Sequence, residues 1–322
     1  MTNVVNNVKY KIITHKDLDG VGCAVVALHL LRKQYVYVKF VDYNDVNQEV
    51  KKALIDEDWN HIFITDISVD KETAELINDR FSYKVSLIDH HLGLDWLNEY
   101  KWARVTPGIP NREDTPSGTS LFYDFLIKSL GVSKPSRLSE FVELVRRYDT
   151  YIWKNVYNDI TPKQLNDYLG MTGFYSFLNE MTGRIMKNEP IFSDEAKMML
   201  KFKEKEIEIY VRSKNKTLSK RVIEGLVVGF VFADQYHSEL GNKLMELNED
   251  LDLVVILDLG RKKISIRSVE EKNVDCTAIA KKWYSGGGHK CASGSRIPDM
   301  LDSAVKAILF REYNTFPGQE RF

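Results

Sequence analysis

The 322-residue chain is long enough for two domains of ordinary size. Its composition, 43% hydrophobic and 28% charged, excludes global disorder, and a formal net charge of −1 excludes a basic field that would gather long duplex nucleic acid. Three cysteines without CxxC spacing speak against a disulfide framework. The absence of a leader pattern and of a long apolar run points to a cytoplasmic protein.

In chain order, apolar runs at 10–14, 35–41, 61–66 and 84–88 predict strands. The amphipathic stretches 21–31, 47–55 and 71–81 between them predict helices. Alternation at this pace predicts βαβ units, hence an α/β fold with a mainly parallel sheet flanked by helices. After TPSGTS (115–120) the texture turns helical, with helices expected over 121–130 and 138–148 and shorter ones over 163–187. Residues 193–220 read as one long charged connector, on which Ala196, Met199, Phe202 and Ile209 fall near one face with a solvated face opposite. A second, smaller α/β region follows, with strands at 225–232, 252–259 and 262–268 and helices at 238–247 and 276–283. The expected organisation is a domain over 1–187, a connector over 188–222 and a C-terminal domain over 223–322.

Parallel sheets bind ligands beyond the carboxyl ends of their strands, and the polar residues collect there. His15, Asp17 and Asp19 follow the first run, Asp66 ends the third, and Asp89, His90 and His91 follow the fourth. Each has a plainer alternative. Asp17 and Asp19 serve equally as a turn residue and a helix cap, Asp66 as a cap, and either later histidine as a packed or exposed side chain. Brought to one sheet edge together, however, these carboxylates are untenable without cations between them. Divalent metal ions meet that need, and mixed carboxylate and imidazole donors suit Mn²⁺ better than Mg²⁺ or a structural Zn²⁺.

HKDLDG (15–20), TD (65–66), DHH (89–91) and RRYDT (146–150) resemble the four signature motifs of the DHH phosphoesterase superfamily. GGGHKCASG (286–294) resembles the signature of its DHHA1-type C-terminal domain. With LDGVGC, YHSELGN (236–242) and RRYDTYIW, the chain is most similar to the bacterial oligoribonuclease, or nano-RNase, branch. The resemblance implies two metal ions, one held by His15, Asp17 and Asp66 and the other by Asp19, Asp66, His90 and Asp149. Mn²⁺ is the expected ion, with Co²⁺ or Mg²⁺ as alternatives. Asp149 owes its place to the resemblance alone. His91 is then expected to face the scissile phosphate or leaving oxygen, and Asp89 to buttress an imidazole N–H.

The activity so implied is metal-dependent hydrolysis of short oligoribonucleotides to mononucleotides, 3′ to 5′, by metal-assisted in-line attack. 3′-Phosphoadenosine 5′-phosphate and cyclic dinucleotides are the alternative substrates. In the C-terminal domain Gly286, Gly287, Gly288 and His289 read as an anion-binding loop. Arg267 is its planar partner or else a solvated strand residue, and His237 lines the cleft or caps a helix. The expected partners are short single strands, with no duplex and no membrane; a homodimer is compatible with this reading. Gly20 and Gly22 read as letting backbone pass close to the metals, and Cys23 as a small buried residue.

Overall fold

The computed structural model describes residues 8–109 and 112–297. The chain divides into two units, Met1–Leu200 and Lys201–Phe322, each with a sheet of its own.

The first unit runs β1 (Tyr10–His15), α1 (Leu18–Leu30), β2 (Val36–Val41), α2 (Val46–Ile55), β3 (His61–Thr65), α3 (Lys71–Leu76), β4 (Val85–Asp89) and β5 (Ala103–Val105). Five further helices follow: α4 (Gly118–Leu130), α5 (Ser136–Asp149), α6 (Ile152–Asn155), α7 (Thr161–Thr172) and α8 (Phe174–Met186). The strand order is β2-β1-β3-β4-β5, and every neighbouring pair is parallel. Alternation along each strand feeds two cores. Ile12, Phe63 and Ile88 pack with α1, α4, α5, α7 and α8. Ile13, Ile62, Ile64 and Leu87 pack with α2 and α3 on the other face. The expected parallel sheet with helices on both faces is therefore what forms; the short β5 carries no hydrophobic run of its own length and escaped the sequence pattern.

In this order the chain leaves β1 toward β2 on one side and returns to β3 on the other. That reversal opens a crevice at the carboxyl ends of β1 and β3, where such sheets bind ligands.

The expected connector is α9 (Asp194–Lys216), and residues beyond 216 are not helical: β6 begins at Ser219. Its buried residues also differ from the expected face. Ala196 and Leu200 join the core of the first unit and Val211 that of the second, whereas Met199, Phe202 and Ile209 are exposed. Spacings of four residues, 196 to 200 and 207 to 211, place the packed stripe on the other side of the helix from 202 and 209.

The second unit contains β6 (Ser219–Ile223), β7 (Leu226–Phe232), α10 (His237–Leu247), β8 (Leu253–Asp258), β9 (Lys263–Arg267), α11 (Cys276–Tyr284), β10 (Gly287–His289) and β11 (Ala292–Arg296). Its sheet order is β10-β11-β9-β8-β7-β6; only β7 and β8 are parallel, joined through α10. The C-terminal domain expected to reach residue 322 extends past the described residues at 298–322. Among the described residues, no helix is long and apolar enough to cross a membrane.

Candidate active site

The β1–α1 turn makes double use of its aspartates. Asp17 is extended (φ −104°) and caps α1, its Oδ1 accepting from Gly20 N at 3.0 Å. The plainer reading of Asp17 is thus correct without removing it from the cluster. Asp19 stands in the first turn and is buried. Gly20 is required by protein rather than by metal: a Cβ there would lie 2.3 Å from the carbonyl oxygen of His15. Cys23 is fully buried, as expected.

The support for Asp19 comes from the start of α4, which the sequence marks only as the onset of helical texture. Ser117 caps α4 in a reciprocal pair with Ser120, which leaves the next two N–H groups free. Both donate to Asp19: Gly118 N to Oδ2 at 2.6 Å and Thr119 N to Oδ1 at 2.9 Å. A Cβ on Gly118 would sit 2.7 Å from Asp66 Cβ and 3.0 Å from Asp19 Oδ2. The available signal was SGTS itself, a polar cap followed by a glycine at a helix start.

Asp66 follows β3 with φ +54°, left-handed backbone that non-glycine residues adopt at a cost. It is buried and its Oδ2 has no hydrogen-bond partner. Burial, then the neighbouring Asp19 and Asp17 charges, push its carboxyl well above the usual range. Asp149, the last residue of α5, is pushed up to about 9 by burial and by Asp19 and Asp17. His90 Nε2 faces three carboxylates at once, 3.3 Å from Asp66, 3.5 Å from Asp19 and 3.6 Å from Asp149. It makes no hydrogen bond with any of them. His15 Nδ1 likewise approaches Asp17 Oδ2 to 2.8 Å without an aligned hydrogen bond.

Asp89 and His91 form a separate pair. Asp89 Oδ1 accepts from His91 Nδ1 at 2.7 Å and from His90 N at 2.7 Å, and Oδ2 accepts from Ser68 Oγ at 2.5 Å. Burial pushes this carboxyl up, but the His91 imidazole and the Ser68 hydroxyl outweigh it and hold it below the usual range. The same hydrogen bond raises the His91 imidazole. Tyr43, from the loop after β2, lies 3.3 Å from His91 Nε2 through its hydroxyl. Burial and the carboxylates, Asp66 foremost, push its phenol up to about 12.

Two donor sets result. In one, atoms of His15, Asp17 and Asp66 lie within 4.8 Å of one another; in the other, so do atoms of Asp19, His90 and Asp149. The 3.3 Å contact between His90 and Asp66 joins them. A third grouping of Asp66, Asp89, His90 and His91 is also that close, but both Asp89 oxygens are already occupied by hydrogen bonds. The unpaired Asp66 Oδ2 and the unpaired His90 Nε2, each buried among carboxylates, fit divalent cations.

In the second unit the glycine stretch departs from the expected loop. Gly287–His289 is an edge strand, with Gly287 opposite Gly294 and His289 opposite Ala292, and Gly286 N is taken by Ala280 O at 2.8 Å. Extended backbone sends alternate N–H groups to opposite sides, so the successive converging donors of an anion nest do not form there. Ala292 in turn pairs with Arg267, which places Arg267 and His289 on one face of the sheet. The Arg267 guanidinium donates to Ser238 Oγ at 3.1 Å. His237 begins α10, with Nε2 3.2 Å from the buried Asp258 Oδ2 and 3.2 Å from Ala233 O.

A carboxylate–imidazole cluster at the reversal point of a parallel sheet is the arrangement of a metal-dependent hydrolytic centre. Residues 9–146 match the DHH family, N-terminal domain. The chain belongs to the DHH family. It is 36% identical to oligoribonuclease NrnB of Bacillus subtilis (strain 168) over 310 residues, covering 94% of this chain and 76% of that protein. Among solved structures, the pGpG-specific phosphodiesterase PggH of Vibrio cholerae superposes with a TM-score of 0.54 at 16% identity, over 94% of this chain and 98% of that one. RecJ of Thermus thermophilus in complex with Mn²⁺ gives 0.54 at 13% identity, over 96% of this chain and 52% of that one. At such identities these two share the fold.

Proposed function

We propose that this protein hydrolyses short single-stranded oligoribonucleotides to mononucleotides, using two divalent metal ions, Mn²⁺ by preference. The observation that carries the reading is the pair of donor sets meeting at Asp66, in a chain that resembles NrnB along 94% of its length. His15, Asp17 and Asp66 would hold one ion, and Asp19, Asp66, His90 and Asp149 the other. Bound there, the ions supply Lewis acidity that acidifies a water molecule and offsets charge on the phosphoryl oxygens.

The chain's own part is positional. α4 fixes Asp19 through two backbone N–H groups, so that carboxylate needs little reorganisation on loading. Asp89, itself fixed by Ser68, holds the His91 ring by Nδ1 and leaves Nε2 turned away from it. That nitrogen is placed to hold a proton against a phosphoryl or leaving oxygen. In the second unit Arg267 and His289, on one sheet face, are the groups for a substrate phosphate. Gly286, Gly287 and Gly288 contribute close backbone approach along the edge strand, and His237 braces the start of α10.

The test is a product time course on an end-labelled five-nucleotide RNA with Mn²⁺, run beside 3′-phosphoadenosine 5′-phosphate and a cyclic dinucleotide. A ladder shrinking to mononucleotides, with the small substrates cut slowly, is the expected result. Rapid loss of either small nucleotide with the RNA intact overturns the substrate assignment and leaves the metal site in place.

A further inference from the structure

Tyr43 has no place in the metal sets, yet it touches both sides of them. Its ring centroid lies 5.0 Å from that of His15 and 6.3 Å, edge-on, from that of His91. It therefore bridges the end of β1 and the end of β4, across the crevice in which Asp66 lies. The loop that carries it is braced. Asp42 accepts from Lys16 Nζ at 2.6 Å, and its carbonyl takes Asp45 N at 2.9 Å and Val46 N at 3.1 Å. Tyr43 is nevertheless 56% exposed and the His91 side chain 34% exposed, so part of each is open to solvent. The 3.3 Å between hydroxyl and imidazole is at the loose end of hydrogen bonding. Two polar groups side by side, only weakly bound to each other, can both turn to one oxygen atom placed beside them. The exposed ring beside them offers a flat apolar surface next to that oxygen, which suits a nucleobase or ribose.

We propose that Tyr43 is a substrate-binding residue: its hydroxyl, beside His91 Nε2, takes an oxygen of the phosphodiester being cut, and its ring, set against His15, bears the adjoining nucleoside. The inference rests on the phosphodiesterase reading of the site. It separates two contributions, one from the hydroxyl and one from the ring, and each has its own variant. Tyr43→Phe keeps the ring and removes the hydroxyl, whereas Tyr43→Ala removes both.

The experiment measures kcat and KM of the wild type and both variants on a five-nucleotide RNA and on bis(p-nitrophenyl) phosphate, a diester without ribose or base. Mn²⁺ uptake by each protein is followed by calorimetry. Tyr43→Phe is expected to lose roughly 10- to 100-fold in kcat on both substrates, the range for one hydrogen bond to a charged group. Its KM for RNA should stay within about twofold, because the ring remains. Tyr43→Ala should add roughly a 10-fold rise in KM for RNA, the scale of one lost base stack. Mn²⁺ uptake should match wild type in both. Wild-type kcat in Tyr43→Phe on both substrates overturns the proposal, and so does a fall in Mn²⁺ uptake that tracks the fall in kcat. A wild-type protein that splits the aryl diester and spares the RNA removes the oligoribonucleotide reading instead, and the hydroxyl is then judged on the aryl diester alone.

Discussion

Replacing Asp66 by asparagine should stabilise the metal-free protein and destroy its response to metal. Asp66 and Asp17 present oxygen atoms no more than 4.8 Å apart. Two ionised carboxylates at that separation repel by about 3.5 kcal/mol at an effective dielectric constant near 20. The alternative, protonating one of them at pH 7, costs about 4 kcal/mol for an ordinary carboxyl. Either way the metal-free site carries a penalty of about 3–4 kcal/mol that asparagine removes. Asparagine tolerates the left-handed backbone at this position. It brings a buried amide short of partners, at a cost of about 1–3 kcal/mol. The balance is a gain of about 0–3 kcal/mol, which at its midpoint is roughly 3–6 °C in Tm for a unit of this size. With Mn²⁺ at about 100 times Kd, the wild type gains about 2.7 kcal/mol per site and the variant, lacking the shared ligand, gains little. The order of the two melting curves should reverse between EDTA and Mn²⁺. Differential scanning calorimetry in both conditions measures this, and an Asp66→Asn protein that melts below wild type in EDTA would refute the account of the cluster as mutually repelling charge.

Three further outcomes follow from the same geometry. Gly118→Ala, whose Cβ would meet Asp66 Cβ at 2.7 Å, must push α4 off Asp19; at about 1.5–3 kcal/mol for each charge-assisted bond lost, titration calorimetry should show Mn²⁺ affinity weakened at least roughly 10-fold. In EDTA, stability should fall as pH rises from about 4 toward 9, because Asp149, pushed up to about 9 in the folded state, binds a proton there that the unfolded chain has released; denaturant midpoints across that range that rise instead contradict the assignment. Arg267→Lys keeps the charge but loses the planar fork, so KM for RNA should rise roughly 10-fold with kcat nearly unchanged, as steady-state kinetics will read.

The parallel sheet and its rim of His15, Asp66 and Asp89 were legible because strand, helix and polar residue repeat in a simple rhythm along the first hundred residues. Asp149 was not, since an aspartate ending an amphipathic helix has no local mark of a ligand; only its motif singled it out. The α4 N-terminus escaped for a different reason. Its value lies in two backbone N–H groups 99 and 100 residues from the carboxylate they serve, and no periodicity encodes a contact across that distance. The glycine run misled through composition: three glycines suggest a loop, but cross-strand pairing with residues 292–294 decides the matter and draws them into a sheet edge. On α9, charged residues on every side blurred the choice between stripes, and packing selected the one at four-residue spacing.

The four carboxylates of the paired donor sets are not equivalent, and the difference shows where the demand for cations originates. Asp17 caps α1, and Asp19 stands in its first turn and receives two further N–H groups from the start of α4. Helix N-termini carry partial positive charge, so these two anions are accommodated by the fold itself. Asp66 sits on a strained residue beyond a strand end with an unpaired oxygen. Asp149 ends α5, at the negative pole of the helix. Among the described residues no backbone N–H donates to either carboxylate, and both have carboxyl groups raised far above the ordinary range. The fold thus steadies two of the anions and leaves two whose protonated forms are favoured by burial and by neighbouring charge. Loading should release protons from the second pair, which makes metal affinity rise with pH through the titration of Asp149 and couples the integrity of the first unit to the ions it binds.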